Sequence, residues 1–235
     1  MFRTILFLPL YNALVVLTQA FNGSLGWAVV GLTILVKLLL APLAHKSTIT
    51  QMQHKKLAPF VAEIKKKYPN QKEQAEKLNE LYKEHQANPL SGCLVLLIQL
   101  PILFAIFYVF KEGGVIDPAN LYSFVTAPEV VNTMWLGIDI TKPNIVLLII
   151  TAVVQFAQMA LSPSMQASNE PVDKNDPQAM MAASMQKTMK YIIPVVIVAG
   201  GWTLPGAVLL YWVVSSLFMI IQERLTMKLL AKKAA

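Results

Sequence analysis

Trp27-Ala-Val-Val-Gly-Leu-Thr-Ile-Leu-Val-Lys-Leu-Leu-Leu-Ala-Pro-Leu-Ala44 is long and apolar enough to cross a membrane, yet it carries one lysine, Lys37, at its centre. No acidic residue lies near Lys37 in sequence. A charge at the middle of a membrane helix costs about 2.5–3.5 kcal/mol on insertion scales. An acidic partner elsewhere, a water-filled cavity or snorkelling to the surface would each offset that cost. A wet, positive cavity inside a membrane bundle is the most useful of these readings. Thr33 lies four residues before Lys37 and so shares its helix face.

The chain around this stretch fits an all-α membrane protein. Of its 235 residues 55% are hydrophobic, too many for an ordinary soluble domain, and they come in blocks. Residues 25–44 are the first confident span, and 90–110 and 144–162 read as the second and third. Residues 191–222 hold no charge, and lysines 174, 187 and 190 precede them while Arg224 and Lys228 follow. Both flanks belong on the cytoplasmic side by the positive-inside rule, so the run must cross twice. It divides at Gly200–Gly206 into spans at 188–203 and 206–225, a short pair that would thin the bilayer locally. The expected fold is a bundle of five transmembrane helices, N-terminus outside and C-terminus cytoplasmic. That arrangement leaves 16 of the 20 Lys and Arg inside and three outside, namely Arg3, Lys111 and Lys142.

Two segments lie outside the spans. Residues 4–21 are apolar and uncharged, and three readings compete: a signal peptide, an additional span, or an interfacial amphipathic helix. The interfacial helix is favoured, because Asn12 and Gln19 are seven apart and share a face. Asn22-Gly23-Ser24 then makes a turn. Residues 45–88 contain nine lysines at helical spacing, broken by Pro69-Asn70, and read as a cytoplasmic helical hairpin. Asn70 and Glu73 have capping-box spacing. Lys55, Lys56, Lys65, Lys66 and Lys67 form the candidate interaction face of the hairpin, whose bland alternative is a solvated surface. The 111–142 loop carries Tyr122, Phe124 and Trp135, which suit a membrane–water interface, and 163–189 is polar and Met-rich.

Motifs for chemistry are missing. The sequence has no phosphate-binding glycine loop, no H-E-x-x-H, no Cys/His cluster and no G-x-S-x-G, so neither an enzyme nor a cofactor is expected. The single cysteine, Cys93, excludes a disulfide framework. The three histidines, His45, His54 and His85, lie in the hairpin and read as solvent-exposed. The spans instead hold scattered polar side chains: Gln99 in the second, Gln155 and Gln158 three apart in the third, Trp212 and Ser216 four apart in the last, with Ser215 and Gln222 on an adjacent stripe. Each of these alone reads as an interhelical hydrogen bond. Together with Lys37 they would line one cavity. No internal repeat is evident, which weighs against an inverted-repeat transporter.

At this level the chain resembles the YidC/Oxa family of membrane protein insertases, short bacterial type without the large extracytoplasmic domain. Asn88-Pro-Leu-Ser-Gly-Cys-Leu-Val-Leu-Leu-Ile-Gln-Leu-Pro-Ile102 is similar to the family's second core span and Thr33–Leu43 to its first. Met52–Lys67 is similar to its hairpin, Leu204–Phe218 to its final span and Leu10-Tyr-Asn12 to its interfacial helix. The resemblance implies a monomeric five-helix core in the bacterial plasma membrane, with a hydrophilic groove open to cytoplasm and lipid. It implies insertion and folding of nascent membrane proteins without nucleotide hydrolysis, alone or beside the Sec translocon, with the ribosome and anionic lipids as further partners and no specific nucleic acid. The groove positions it implies are Lys37, Thr33, Gln99 and Trp212; with Ser216 and Gln158, taken from the polar positions of the spans, they make the candidate substrate groove. Two departures stand out: relatives usually carry arginine at the Lys37 position, and proline at the Val95 position. A small anion or solute transporter, or a channel subunit, is the alternative reading, and a purely structural chaperone is a third.

Overall fold

The computed structural model describes residues 3–85, 91–110, 116–162, 191 and 193–234, and it is mostly helical. After a wider π-type turn at Arg3–Phe7, the helices are α1 (Leu8–Ala20), α2 (Leu25–Lys67), α3 (Gln71–Glu84), α4 (Ser91–Phe110), α5 (Ile145–Leu161), α6 (Ile193–Gly201) and α7 (Gly206–Ala234). A ribbon of two short antiparallel strands, β1 (Met134–Trp135) and β2 (Ile138–Asp139), lies between α4 and α5. The 163–189 segment, expected as a loop leading into a helix, lies outside the described residues.

By length and apolarity, three of the described stretches suffice to cross a membrane: Arg3–Ala20, Leu25–His54 and Gly206–Lys232. Pro101–Phe110 and Ile145–Leu161 are shorter apolar helices. The expected 25–44 span is part of a single 43-residue helix that continues into the lysine-rich segment. Sequence composition changes sharply at residue 45, but Gln, Lys, Met and Ala are all good helix formers, so the backbone does not break there. Pro42 and Pro59 lie inside this helix, each removing one backbone donor. The α2 helix ends at Lys67 before Pro69, and Asn70 caps α3 by accepting from the Lys72 backbone N–H at 3.0 Å. The last helix likewise runs nine residues beyond the expected boundary at 225.

α7 forms the centre of the bundle, packing mainly on α2 and α5 and also on α4. Leu14 of α1, Ala28, Val29 and Leu32 of α2, Ile102 and Ile106 of α4, and Val208 and Tyr211 of α7 make the main buried cluster. On the other side of α7, Leu209 packs with Leu147 and Leu148 of α5. Leu38, Leu39, Ile149, Val153, Leu217 and Ile221 face outward. Such a belt is ruinous in water but natural against lipid chains.

The polar face of α1 is satisfied by the 116–126 segment rather than by its own helix alone. Arg3 donates to Asn120 Oδ1, Asn12 Nδ2 donates to the Asn120 carbonyl, and Gln19 Nε2 donates to the Thr126 carbonyl. The Tyr122 backbone N–H in turn donates to Asn12 Oδ1 at 2.7 Å. The turn after α1 brings Asn22 and Gly23 to positive φ, 52° and 82°. Gly23 also faces the Val130 carbonyl oxygen so closely that a β-carbon has no room. Its own carbonyl accepts from the Asn132 N–H at 2.8 Å, and the Asn132 carbonyl accepts from the Leu25 N–H at 3.0 Å. Gly23 is thus the joint between α1, α2 and the ribbon. Gly23→Ala is expected to destabilise the fold by about 1–3 kcal/mol, from the left-handed backbone and the clash together. Thermal unfolding in detergent, followed by circular dichroism, checks this.

Candidate functional site

The site begins with the helical period of α2. Val29, Thr33 and Lys37 fall on one face, and that face points at α4 and α7. Lys37 is only 6% exposed. Its Nζ donates to Gln99 Oε1 of α4 at 3.0 Å, and Gln99 Nε2 donates to the Tyr211 hydroxyl of α7 at 2.7 Å. Tyr211 is fully buried, and Ser215, also buried, stands one turn on. One cation therefore starts a chain of hydrogen bonds through three helices. Among the described residues no carboxylate pairs with Lys37; the two ion pairs, Lys77–Glu80 and Lys142–Asp139, lie elsewhere.

Thr33 is buried beside this chain, but its hydroxyl donates to the Val29 carbonyl of its own helix at 2.6 Å. Its polarity is spent locally, in the manner of threonine inside helices. A hollow leads from Lys37 along α2 toward the hairpin, lined by Leu40, Leu43, Ala44 and Gln99, with Met219 and Gln222 of α7. It admits on the order of one or two water molecules. The hollow beside Lys37 is thus a narrow crevice in this conformation. In the opposite direction, toward the ribbon, Ala28, Leu32, Leu210 and their neighbours close the bundle.

A second polar cluster lies on the α5 side of α7. Trp212 Nε1 and Ser216 Oγ both donate to Gln155 Oε1, at 2.9 and 3.0 Å. The glutamine that meets Trp212 and Ser216 is therefore Gln155. Gln158, the expected member, is half-buried three residues on and takes no part in this cluster. The expected single lining is two clusters on adjacent stripes of α7: Lys37, Gln99 and Tyr211 on one side, Gln155, Trp212 and Ser216 on the other. Sequence reasoning passed over Tyr211, although it adjoins Trp212 and stands one turn before Ser215. A tyrosine inside an apolar span needs a partner for its hydroxyl, which was the available signal.

At the hairpin end of α7, Gln222 Nε2 donates to the Ala41 carbonyl at 2.8 Å and His45 Nδ1 lies 2.9 Å from Thr226 Oγ1. Glu223, also passed over, is buried, and Ser162 Oγ donates to it at 3.3 Å. His45 and His54 are half-buried rather than solvent-exposed, because α2 continues straight from the bundle and carries His45 against α7; His54 stacks edge-on against Tyr82 of α3. His85 is exposed. Lys56, Lys66 and Lys67 project outward from α2, Lys67 over the Tyr68 ring; the side chains of Lys55 and Lys65 lie outside the described set. Among the described residues no group of His, Cys, Asp or Glu could hold a metal ion.

Gln155→Leu is expected to leave the indole N–H of Trp212 and the Ser216 hydroxyl unpaired and to lower stability by about 1–3 kcal/mol. Indole fluorescence during unfolding, against Gln158→Leu with a smaller loss, checks which glutamine holds the cluster.

Comparison with known proteins points to one family. The sequence profile described as "60Kd inner membrane protein" matches residues 16–233. A membrane protein insertase YidC of Fusobacterium nucleatum is 35% identical over 212 residues, covering 90% of each chain. Another of the same name from Clostridium perfringens is 32% identical, covering 97% of this chain and 93% of the other. A crystal structure of an active YidC insertase with its first transmembrane domain resolved superposes with a TM-score of 0.54 at 26% identity. That match covers 87% of this chain and 42% of the other, so the present chain spans less than half of the solved protein.

Proposed function

This chain belongs to the 60Kd inner membrane protein family, whose matched relatives are membrane protein insertases, and from that premise we propose that it inserts membrane proteins through the polar crevice at Lys37. It is a bacterial inner-membrane protein. The observation that carries the proposal is a buried cation whose partner is an amide rather than an acid, at the head of a crevice that runs along α2 toward the lysine-rich hairpin.

A neutral partner leaves the charge of Lys37 available to an incoming anion. The hydrophilic outer segment of a substrate would enter from the hairpin side, and its carboxylates would be drawn to Lys37. Its apolar segment would leave sideways into lipid by hydrophobic transfer. The packed cluster between Lys37 and the ribbon closes the route outward, so the polar segment stops there until the apolar one has partitioned. Sequence features for nucleotide hydrolysis are missing, and transfer of apolar surface supplies a driving force of roughly 25 cal/mol per Å2.

The topology that goes with this reading has five spans, the N-terminus outside and the hairpin and C-terminus in the cytoplasm. The N-terminal helix lies at the outer interface, and the support is its polar face: from Arg3 to Gln19 it is bonded to one extramembrane loop. The exposed lysines of the hairpin would hold anionic headgroups, each contributing about 1 kcal/mol near the surface, or meet the Sec translocon or ribosome. The working unit is a monomer and the partners are nascent membrane proteins.

Reconstituted in vesicles, the protein is expected to insert a single-span reporter with an acidic outer tail. Lys37→Ala should cut that insertion by roughly tenfold or more, since a hydrogen bond to a charged group is at stake, while Lys37→Arg should retain it. Full insertion by Lys37→Ala, with correct folding, would refute the role of the cation.

A further inference from the structure

We propose that Gln99, oriented by Tyr211, is a built-in stand-in for the substrate carboxylate and so sets how strongly the crevice prefers acidic segments. This rests on reading Lys37 as the crevice cation. An ammonium has three donors and no acceptor, so in a buried site it requires oxygen partners. Gln99 Oε1 supplies one at 3.0 Å, the place a carboxylate oxygen would take.

Lys37 also fixes which way the amide points. Because lysine only donates, the oxygen of Gln99 must face it, and the NH2 must face away. Tyr211 receives that NH2 at 2.7 Å. Tyr211 is 1% exposed, so no bulk water competes for the amide. Tyr211 therefore holds Gln99 in the one orientation that occupies Lys37. Entry of a carboxylate is then an exchange of acceptors. The carboxylate oxygen takes the Lys37 N–H, and the Gln99 amide turns into the crevice, where Leu40, Ala44 and Met219 leave room for water. A charged acceptor forms the stronger bond to ammonium and displaces the neutral one. A neutral polar segment gains little from the exchange. Gln99 thus raises the threshold for capture and separates acidic from neutral substrates, while Tyr211 sets the height of that threshold as a positioning residue.

The test compares two single-span reporters whose outer tails differ only in three Asp or three Asn, inserted by the full chain in vesicles of phosphatidylethanolamine and phosphatidylglycerol. The readout is the ratio of acidic to neutral insertion. Gln99→Glu places a permanent carboxylate on Lys37 and should lower the ratio by on the order of tenfold. Tyr211→Phe keeps the ring and removes only the hydroxyl that holds the amide, so the neutral reporter should gain and the ratio should fall by roughly threefold, whereas the glutamate variant lowers it by loss of the acidic reporter. Gln99→Met, similar in volume and without the amide, should lower it in the same way, by a gain on the neutral reporter, and it stands in if the glutamate variant does not fold. A common loss on both reporters with unchanged ratios would mean that Gln99 and Tyr211 are structural only, and would overturn the proposal. A raised ratio in Tyr211→Phe would also overturn it. Wild-type protein that inserts neither reporter defeats the insertase reading itself, and wild type matched by Lys37→Ala defeats the crevice cation. Both are distinct from a failure confined to Gln99 and Tyr211.

Discussion

Burying one ammonium in an apolar bundle constrains everything near it. An unpaired charge in such surroundings costs several kcal/mol, so Lys37 requires acceptors and every polar group brought to it requires partners of its own. Gln99 meets the first requirement and Tyr211 the second. These residues come from α2, α4 and α7, so the hydrogen-bond chain also fixes the rotation of three helices about their axes. The apolar packing around Val29, Ile106 and Val208 supplies most of the burial but has no such directional demand.

α7 organises both polar clusters by its period. Tyr211 and Ser215 make one stripe facing α2 and α4; Trp212 and Ser216, one position on, make a second facing α5. A shift of one residue turns a helix by about 100°, enough to send neighbouring side chains to different helices. Substrate entering between α2 and α7 would therefore meet the cation first, with the Gln155 cluster behind α7 holding α5 in place. The hairpin is continuous with this frame, because its first arm and Lys37 belong to the same helix, α2.

How much of this the sequence disclosed follows from which features are local. Thr33 and Lys37 are paired by helical spacing, and that pairing needs no tertiary information. The turn at Asn22-Gly23 and the cap at Asn70 are local signals too, and the structure carries both. Choosing Gln155 over Gln158 depends on the rotation of α5 against α7, which no spacing within α5 encodes. The length of α2 is not legible in composition, because the change in solvent preference at residue 45 carries no backbone signal. Its one helix carries His45 into the bundle, where Thr226 meets it. The β-ribbon is two residues per strand, too short for an alternating pattern, though Leu136-Gly137 at positive φ marks its turn. The lysine at position 37 was legible as a cost; that an amide rather than an acid answers it required the fold.

The most direct test of the account is contact. A photo-crosslinking residue placed in turn at positions 37, 40, 99 and 219 would be presented with a stalled nascent chain, and Phe124 on the outer loop would serve as the control position. The account predicts adducts from the crevice positions that fade once the apolar segment is released into lipid, and few from position 124. Equal adducts at all positions, or none from the crevice while insertion proceeds, would contradict it.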